Sequence, residues 1–223
     1  MDTFPGLPLD LPTALSTLLF GALMVGTFAW QRFKARHQQS WRSALELLSL
    51  RLELDAVPGE RDAFEGEYRD TRLWMGLQPR PVGSEDEQTL PTLRLDVGVA
   101  LPRDFVAVPR AWTRVLDRVG LPGLFSAEDP VLDKRFVFQC DFVTPAQALV
   151  RDAGVREALS RLGSDDAVAF IEKNQVGLSF TRAVHDEASL RAHLEAMRAV
   201  ASALRAALEA TGGVAEPPRQ RVG

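Results

Sequence analysis

The chain has 223 residues, a formal net charge of -4 and one cysteine, Cys140. The mild charge is spread along the sequence and gives no electrostatic case for nucleic-acid binding. A lone cysteine excludes an internal disulfide framework and a cysteine-built metal site, and fits a reducing compartment.

Residues 1–10 carry Asp2 and Asp10 and no basic residue. From Leu11 to Trp30 the chain then runs about twenty residues without a charge, enough for one helix to cross the roughly 30 Å core of a bilayer. A basic collar follows in Arg32, Lys34, Arg36 and Arg42, with no acid until Glu46. Positive charge stays on the cytoplasmic side, which predicts a single-pass membrane protein, N-terminus out and bulk in the cytoplasm. One Ile and three Lys among abundant Arg, Ala, Leu and Val are the bias of a GC-rich bacterial genome, so the expected membrane is the bacterial inner one. A cleaved signal peptide would need a basic start and a shorter apolar core. The acidic start argues for an uncleaved anchor. Trp30, Arg32, Lys34 and Arg36 are the candidate membrane-interface residues, an aromatic and three cations placed to meet headgroups. Thr17 with Gly21, and Ala22 with Gly26, would permit close packing of two such spans.

Residues 31–50 are predicted as a basic juxtamembrane helix, since Trp41, Ala44, Leu45 and Leu48 recur at helical spacing. Pro58-Gly59 closes it. The period then changes to two. Phe64 to Tyr68 and Leu73 to Leu77 predict a hairpin, Pro79 to Gln88 a polar loop. Leu93, Leu95, Val97, Val99 and Leu101 predict a strand with one buried face, opposite Thr92, Arg94, Asp96 and Gly98. Pro109 to Val119 is read as a helix, Leu121 to Pro130 as a loop and Lys134 to Val143 as a strand.

In that last strand Phe136, Phe138, Cys140 and Phe142 share a face, which makes Cys140 a buried apolar residue rather than a reactive thiol. Thr144-Pro145-Ala146-Gln147 is read as a capped start to one helix running to Leu162, with Gly154 a place to kink. Val168–Glu172 and Val176–Arg182 predict a second hairpin around Lys173-Asn174-Gln175. The final helix is expected from Glu187 to Ala210, ended by Gly212-Gly213. Leu190, Leu194, Met197, Ala201, Leu204 and Leu208 are spaced alternately four and three, a seam that would cover the sheet or pair two copies. The first use is favoured, because the sheet needs a cover. Residues 51–213 thus form one soluble domain and 214–223 a disordered tail. The fold class is α+β: an N-terminal transmembrane helix, then an antiparallel sheet with helices on one face.

No catalytic motif stands out. Gly-x-Ser-x-Gly and the glycine-rich phosphate loops are absent. His185 and His193 are eight apart, whereas one metal ion on one helix needs a spacing near four. Asp165-Asp166 and Glu85-Asp86-Glu87 read as turn acids. No cofactor is expected.

Leu132-Asp133-Lys134-Arg135-Phe136-Val137-Phe138, Asp141, Thr144-Pro145 and the hairpin after Gly163 resemble a group of uncharacterised bacterial single-pass membrane-anchored proteins. That group carries an aromatic-acid-x-x-Phe-x-Val strand, a Thr-Pro helix start and a hairpin; Leu132 stands here where it has an aromatic. The resemblance covers the last half of the chain. It implies membrane anchoring and a cytoplasmic α+β domain, and transfers no catalytic residue. The expected partners are the lipid bilayer and a protein or a second copy. The function read from the sequence is a non-enzymatic interaction module; the alternative is a membrane-tethered ligand-binding or enzymatic domain whose site follows no motif.

Overall fold

The computed structural model describes Thr27 and residues 42–79, 89–110, 122–181 and 187–211. The chain divides between Trp41 and Arg42, and the second unit carries the fold. Among the described residues no helix is long and apolar enough to cross a membrane. Apart from Thr27, the apolar stretch 11–30 lies outside them, as do the loop 80–88, the tail and residues 111–119 of the expected helix.

The unit begins with helix α1 (residues 42–51), which buries Leu45 and Leu48. Strands β1 (Asp55–Ala56), β2 (Phe64–Tyr68), β3 (Thr71–Pro79), β4 (Thr89–Asp96), β5 (Val106–Pro109) and β6 (Leu124–Phe125) follow. Then come α2 (Pro130–Arg135), β7 (Phe136–Gln139), α3 (Val143–Arg151), α4 (Ala153–Arg161), β8 (Ala167–Glu172), β9 (Gln175–Phe180) and α5 (Glu187–Ala210). Among the described residues nine strands make one sheet in the order β1-β2-β3-β4-β9-β8-β5-β7-β6. Each ladder is antiparallel.

Register explains the core. Directly paired residues share a face, and the pairs Leu73↔Leu95, Leu95↔Val176, Ile171↔Val176, Ala107↔Ile171 and Ala107↔Phe138 run as one apolar row across the sheet, with Leu93↔Leu178 in the next row on the same face. All of these side chains are buried. α5 lies against β4 and β9 on this face, with α3 and α4 beside it. Its seam residues Leu190, Leu194, Met197, Ala201, Leu204 and Leu208 are all buried within the chain. The seam covers the sheet and is not free to pair two copies. Both central hairpins turn on two residues with positive φ, Arg69-Asp70 and Lys173-Asn174, the geometry that matches the twist of antiparallel strands.

Several sequence expectations need correction. β4 ends at Asp96 rather than Leu101, because the Gly98 N–H turns to Asp96 Oδ1 (2.7 Å) and Gly98 has φ +78°. Val99 is only half-buried. Pro109 is the last residue of strand β5, paired with Phe136, rather than the first of the expected helix, whose residues 111–119 lie outside the described ones. Lys134 and Arg135 belong to α2, whose N-cap Asp129 accepts from Val131 and Leu132 and whose first residue is Pro130, a start signal placed in the expected loop.

The helix expected from Thr144 is two helices. The break falls at Asp152 (ψ 135°), whose side chain caps α4 by accepting from Val155 N, and not at Gly154. No capping box forms at Thr144 either. The N-cap is Phe142, and the Gln147 amide donates instead to Ser126 O at 3.1 Å.

Candidate functional site

The two faces of the sheet differ. On the face opposite α5, side chains alternate through Trp74, Thr92, Arg94, Val106, Val108, Val137, Phe170 and Ser179. Trp74, Val106, Val108 and Val137 are half-buried there. Two glycines shape its middle. A Cβ at Gly76 would come within 2.7 Å of the Trp74 ring, and one at Gly177 would overlap the Phe170 ring. Each aromatic therefore lies over the backbone of a strand glycine, the close approach that glycine permits.

Arg94 stands between them, paired across the ladders with Trp74 and Gly177. Its guanidinium lies 5.2 Å from the Phe170 ring centroid. Nε and Nη2 donate to Gln78 Oε1 at 3.0 and 2.6 Å, Nη2 to Glu172 Oε1 at 2.6 Å and Nη1 to Gln175 Oε1 at 3.3 Å. With the Arg94 side chain 14% exposed, the charge is kept paired and hydrogen-bonded, as partial burial demands. Beside it Thr92 Oγ1 donates to Leu90 O at 3.1 Å. That hydroxyl has one proton, so it accepts from Ser179 Oγ at 2.9 Å. The Arg94 guanidinium and the Thr92 and Ser179 hydroxyls thus find their partners within the sheet. Its half-buried apolar side chains are what it offers to something outside.

A second feature lies where the two positive-φ hairpin turns end the sheet. Asp70, Arg72, Asp96, Lys173, Asn174 and Arg205 line an open depression of about 500 Å³. Arg205 reaches it over Gly98, where a Cβ would lie 2.5 Å from Nη2, and donates from Nη2 and Nε to Val97 O at 2.9 and 3.2 Å. Its lining carries charges of both signs, and it is open to solvent.

The membrane-interface residues Trp30, Arg32, Lys34 and Arg36 lie outside the described residues, as do His37, His185 and Glu85-Asp86-Glu87. Cys140 is buried, with Sγ donating to Arg103 O at 3.2 Å; burial pushes its thiol pKa up, away from reactivity. His193 packs edge-on against Phe180 with ring centroids 5.2 Å apart. Burial lowers its pKa against the pull of Asp166. Asp165 and Asp166 sit in the turn before β8, where the Asp166 carbonyl accepts from Thr181 N and Oγ1. Among the described residues no group of three or more His, Cys, Asp or Glu could hold a metal ion.

The Arg94 cluster escaped the sequence because its partners lie 16, 78 and 81 residues away. Its available signals were the glycines, Gly76 two residues after Trp74 and Gly177 in the middle of a strand.

The chain matches no family model and no curated protein sequence. Among solved structures it is similar to the crystal structure of the mycobacterial trehalose monomycolate transport factor A, TtfA, at 12% identity and a TM-score of 0.44, over 76% of this chain and 93% of that one.

Proposed function

We propose that this chain is a single-pass bacterial membrane protein, N-terminus out, whose cytoplasmic α+β domain is a non-enzymatic interaction module. The anchoring half rests on the uncharged stretch 11–30 and the basic collar behind it. The observation that supports the interaction half is the sheet face opposite α5, where Trp74, Val106, Val108 and Val137 are half-buried. Its half-buried apolar side chains lie beside the Arg94 cluster, whose guanidinium is already held by Gln78, Glu172 and Gln175, a surface suited to shape-matched contact.

Site-specific photo-crosslinking in cells tests it. A crosslinking side chain at Val108 or Val137 should give one discrete adduct, and one at Glu209 on α5 should not. No adduct from the sheet face, or the same adduct from all three sites, would overturn the reading. An impermeant thiol reagent tests the topology: in intact spheroplasts it should reach Thr3→Cys and miss Gly223→Cys.

The depression at the sheet's end supports a second reading, a ligand-binding domain. Lys173 makes no hydrogen bond or ion pair among the described residues, so its charge is available to an anionic solute. Ligand sites usually enclose most of their ligand, and this one is open, which places it second.

A further inference from the structure

Helix α1 is apolar on two sides. At 100° per residue, Leu45, Leu48 and Ser49 fall on one side, and all three are buried. Ser43, Leu47 and Leu50 fall on the other, where Leu47 is 62% and Leu50 76% exposed. Three apart, the two leucines touch the same patch of surface. Among the described residues the other large exposed apolar ones, Leu124, Val131 and Phe142, are each less exposed and belong to other segments. Arg51 and Glu46 flank the pair, and Arg51 is held by an ion pair to Glu187 at the start of α5.

Position in the chain says what the patch meets. Residues 31–41 alone separate α1 from the apolar stretch ending at Trp30. They span roughly 17 Å as a helix and no more than about 40 Å extended, and they carry Arg32, Lys34 and Arg36 without an acid. That charge is complementary to anionic headgroups. A second copy fits the patch less well, since two leucines offer on the order of 200 Å² against the roughly 800 Å² per partner of a stable interface.

We propose that the outer face of α1 docks on the bilayer, with Leu47 and Leu50 seated at the boundary between headgroups and acyl chains. The docking rests on the anchored reading above. It adds a second attachment, which fixes how the domain is held under the membrane.

The test uses the full chain in vesicles of phosphatidylethanolamine and phosphatidylglycerol, with and without brominated acyl chains. Cys140 is fully buried, so a bimane label goes to a thiol placed at Leu47→Cys, Leu50→Cys, Ala22→Cys or Glu209→Cys. The last site is roughly 30 Å along α5 from the Arg51–Glu187 contact, far from the patch. Bromolipid should remove most of the emission at 22, 47 and 50 and leave that at 209. Adding Leu47→Glu should return the label at 50 to the level at 209; both sites are exposed, so the fold is not at stake. Quenching at 22 without quenching at 47 and 50 overturns the docking and leaves the anchor intact. No quenching at 22 overturns the anchor and the docking with it. A signal at 47 and 50 that follows the protein-to-lipid ratio and ignores bromine identifies a second copy as the occupant, which also overturns the proposal.

Discussion

Tyr68 and Glu195, 127 residues apart in sequence, meet at 2.7 Å, where the tyrosine hydroxyl donates to Oε1 of the carboxylate. The bond ties the end of β2 to the middle of α5. Arg69 adds a contact to the same oxygen at 3.2 Å and Arg198 one to Oε2 at 3.5 Å. The Tyr68 bond, ahead of the opposing effect of burial and the pull of Arg69 and Arg198, lowers the Glu195 pKa. Burial, then Glu195, raises that of Tyr68 above its ordinary 10.0.

The two shifts set a window of stability. Glu195 is depressed, so its contribution is present at neutral pH and is lost as pH falls through its lowered value. Tyr68 is raised, so its contribution is present below 10.0 and is lost as pH rises through its raised value. Tyr68→Phe should cost about 1 kcal/mol at neutral pH and flatten both limbs of a plot of urea midpoint against pH. The acid limb changes least, because Glu195 is well exposed to solvent. Unchanged limbs in the variant would show that the bond does not link helix to sheet.

Arg94 should not be replaceable by lysine. Its fork serves Gln78, Gln175 and Glu172 at once, and an ammonium cannot span three partners in that geometry. Arg94→Lys is expected to cost about 1–3 kcal/mol, as is Arg94→Met, which leaves Glu172 unpaired. Chemical denaturation of both variants checks this; a fully stable Arg94→Lys would mean that the cluster supplies charge alone.

Phe138 is fully buried in the apolar row, stacked on Phe125 at 5.7 Å. Phe138→Ala should destabilise the domain by about 3–5 kcal/mol. A loss below about 1 kcal/mol would mean the strand faces are reversed.

Legibility followed how local each signal was. α5 could be read to its ends because its apolar spacing repeats over residues 187–210. The hairpin β8–β9 was readable because Lys173-Asn174 tolerate positive φ between two apolar alternations. β5 was missed because it has four residues, ends in Pro109 and finds its partners in β7 and β8 far along the chain. β1 and β6, at two residues each, exist only because a neighbouring strand is there to pair with. At the candidate site, composition hid Arg94 among many arginines, and no spacing rule connects it to Glu172.

Gly177 offers the sharpest test of the sheet face opposite α5. The Phe170 ring occupies the space its Cβ would need, and Phe170 is itself 4% exposed, so it has little room to move aside. Gly177→Ala alone should cost about 1–3 kcal/mol through overpacking. Phe170→Ala alone should also destabilise, by removing the ring under the Arg94 guanidinium. Together the two should cost less than their sum, because the second change removes the obstacle the first creates; coupling of about 1 kcal/mol or more is expected in a double-mutant cycle. Additive costs would mean that Gly177 is required by its backbone rather than by the ring, and that the face is not organised around the aromatic–glycine contact. The same variants in the crosslinking experiment separate shape from stability: if the folded double variant loses the adduct at Val108, the ring's position on Gly177 is part of what the partner reads.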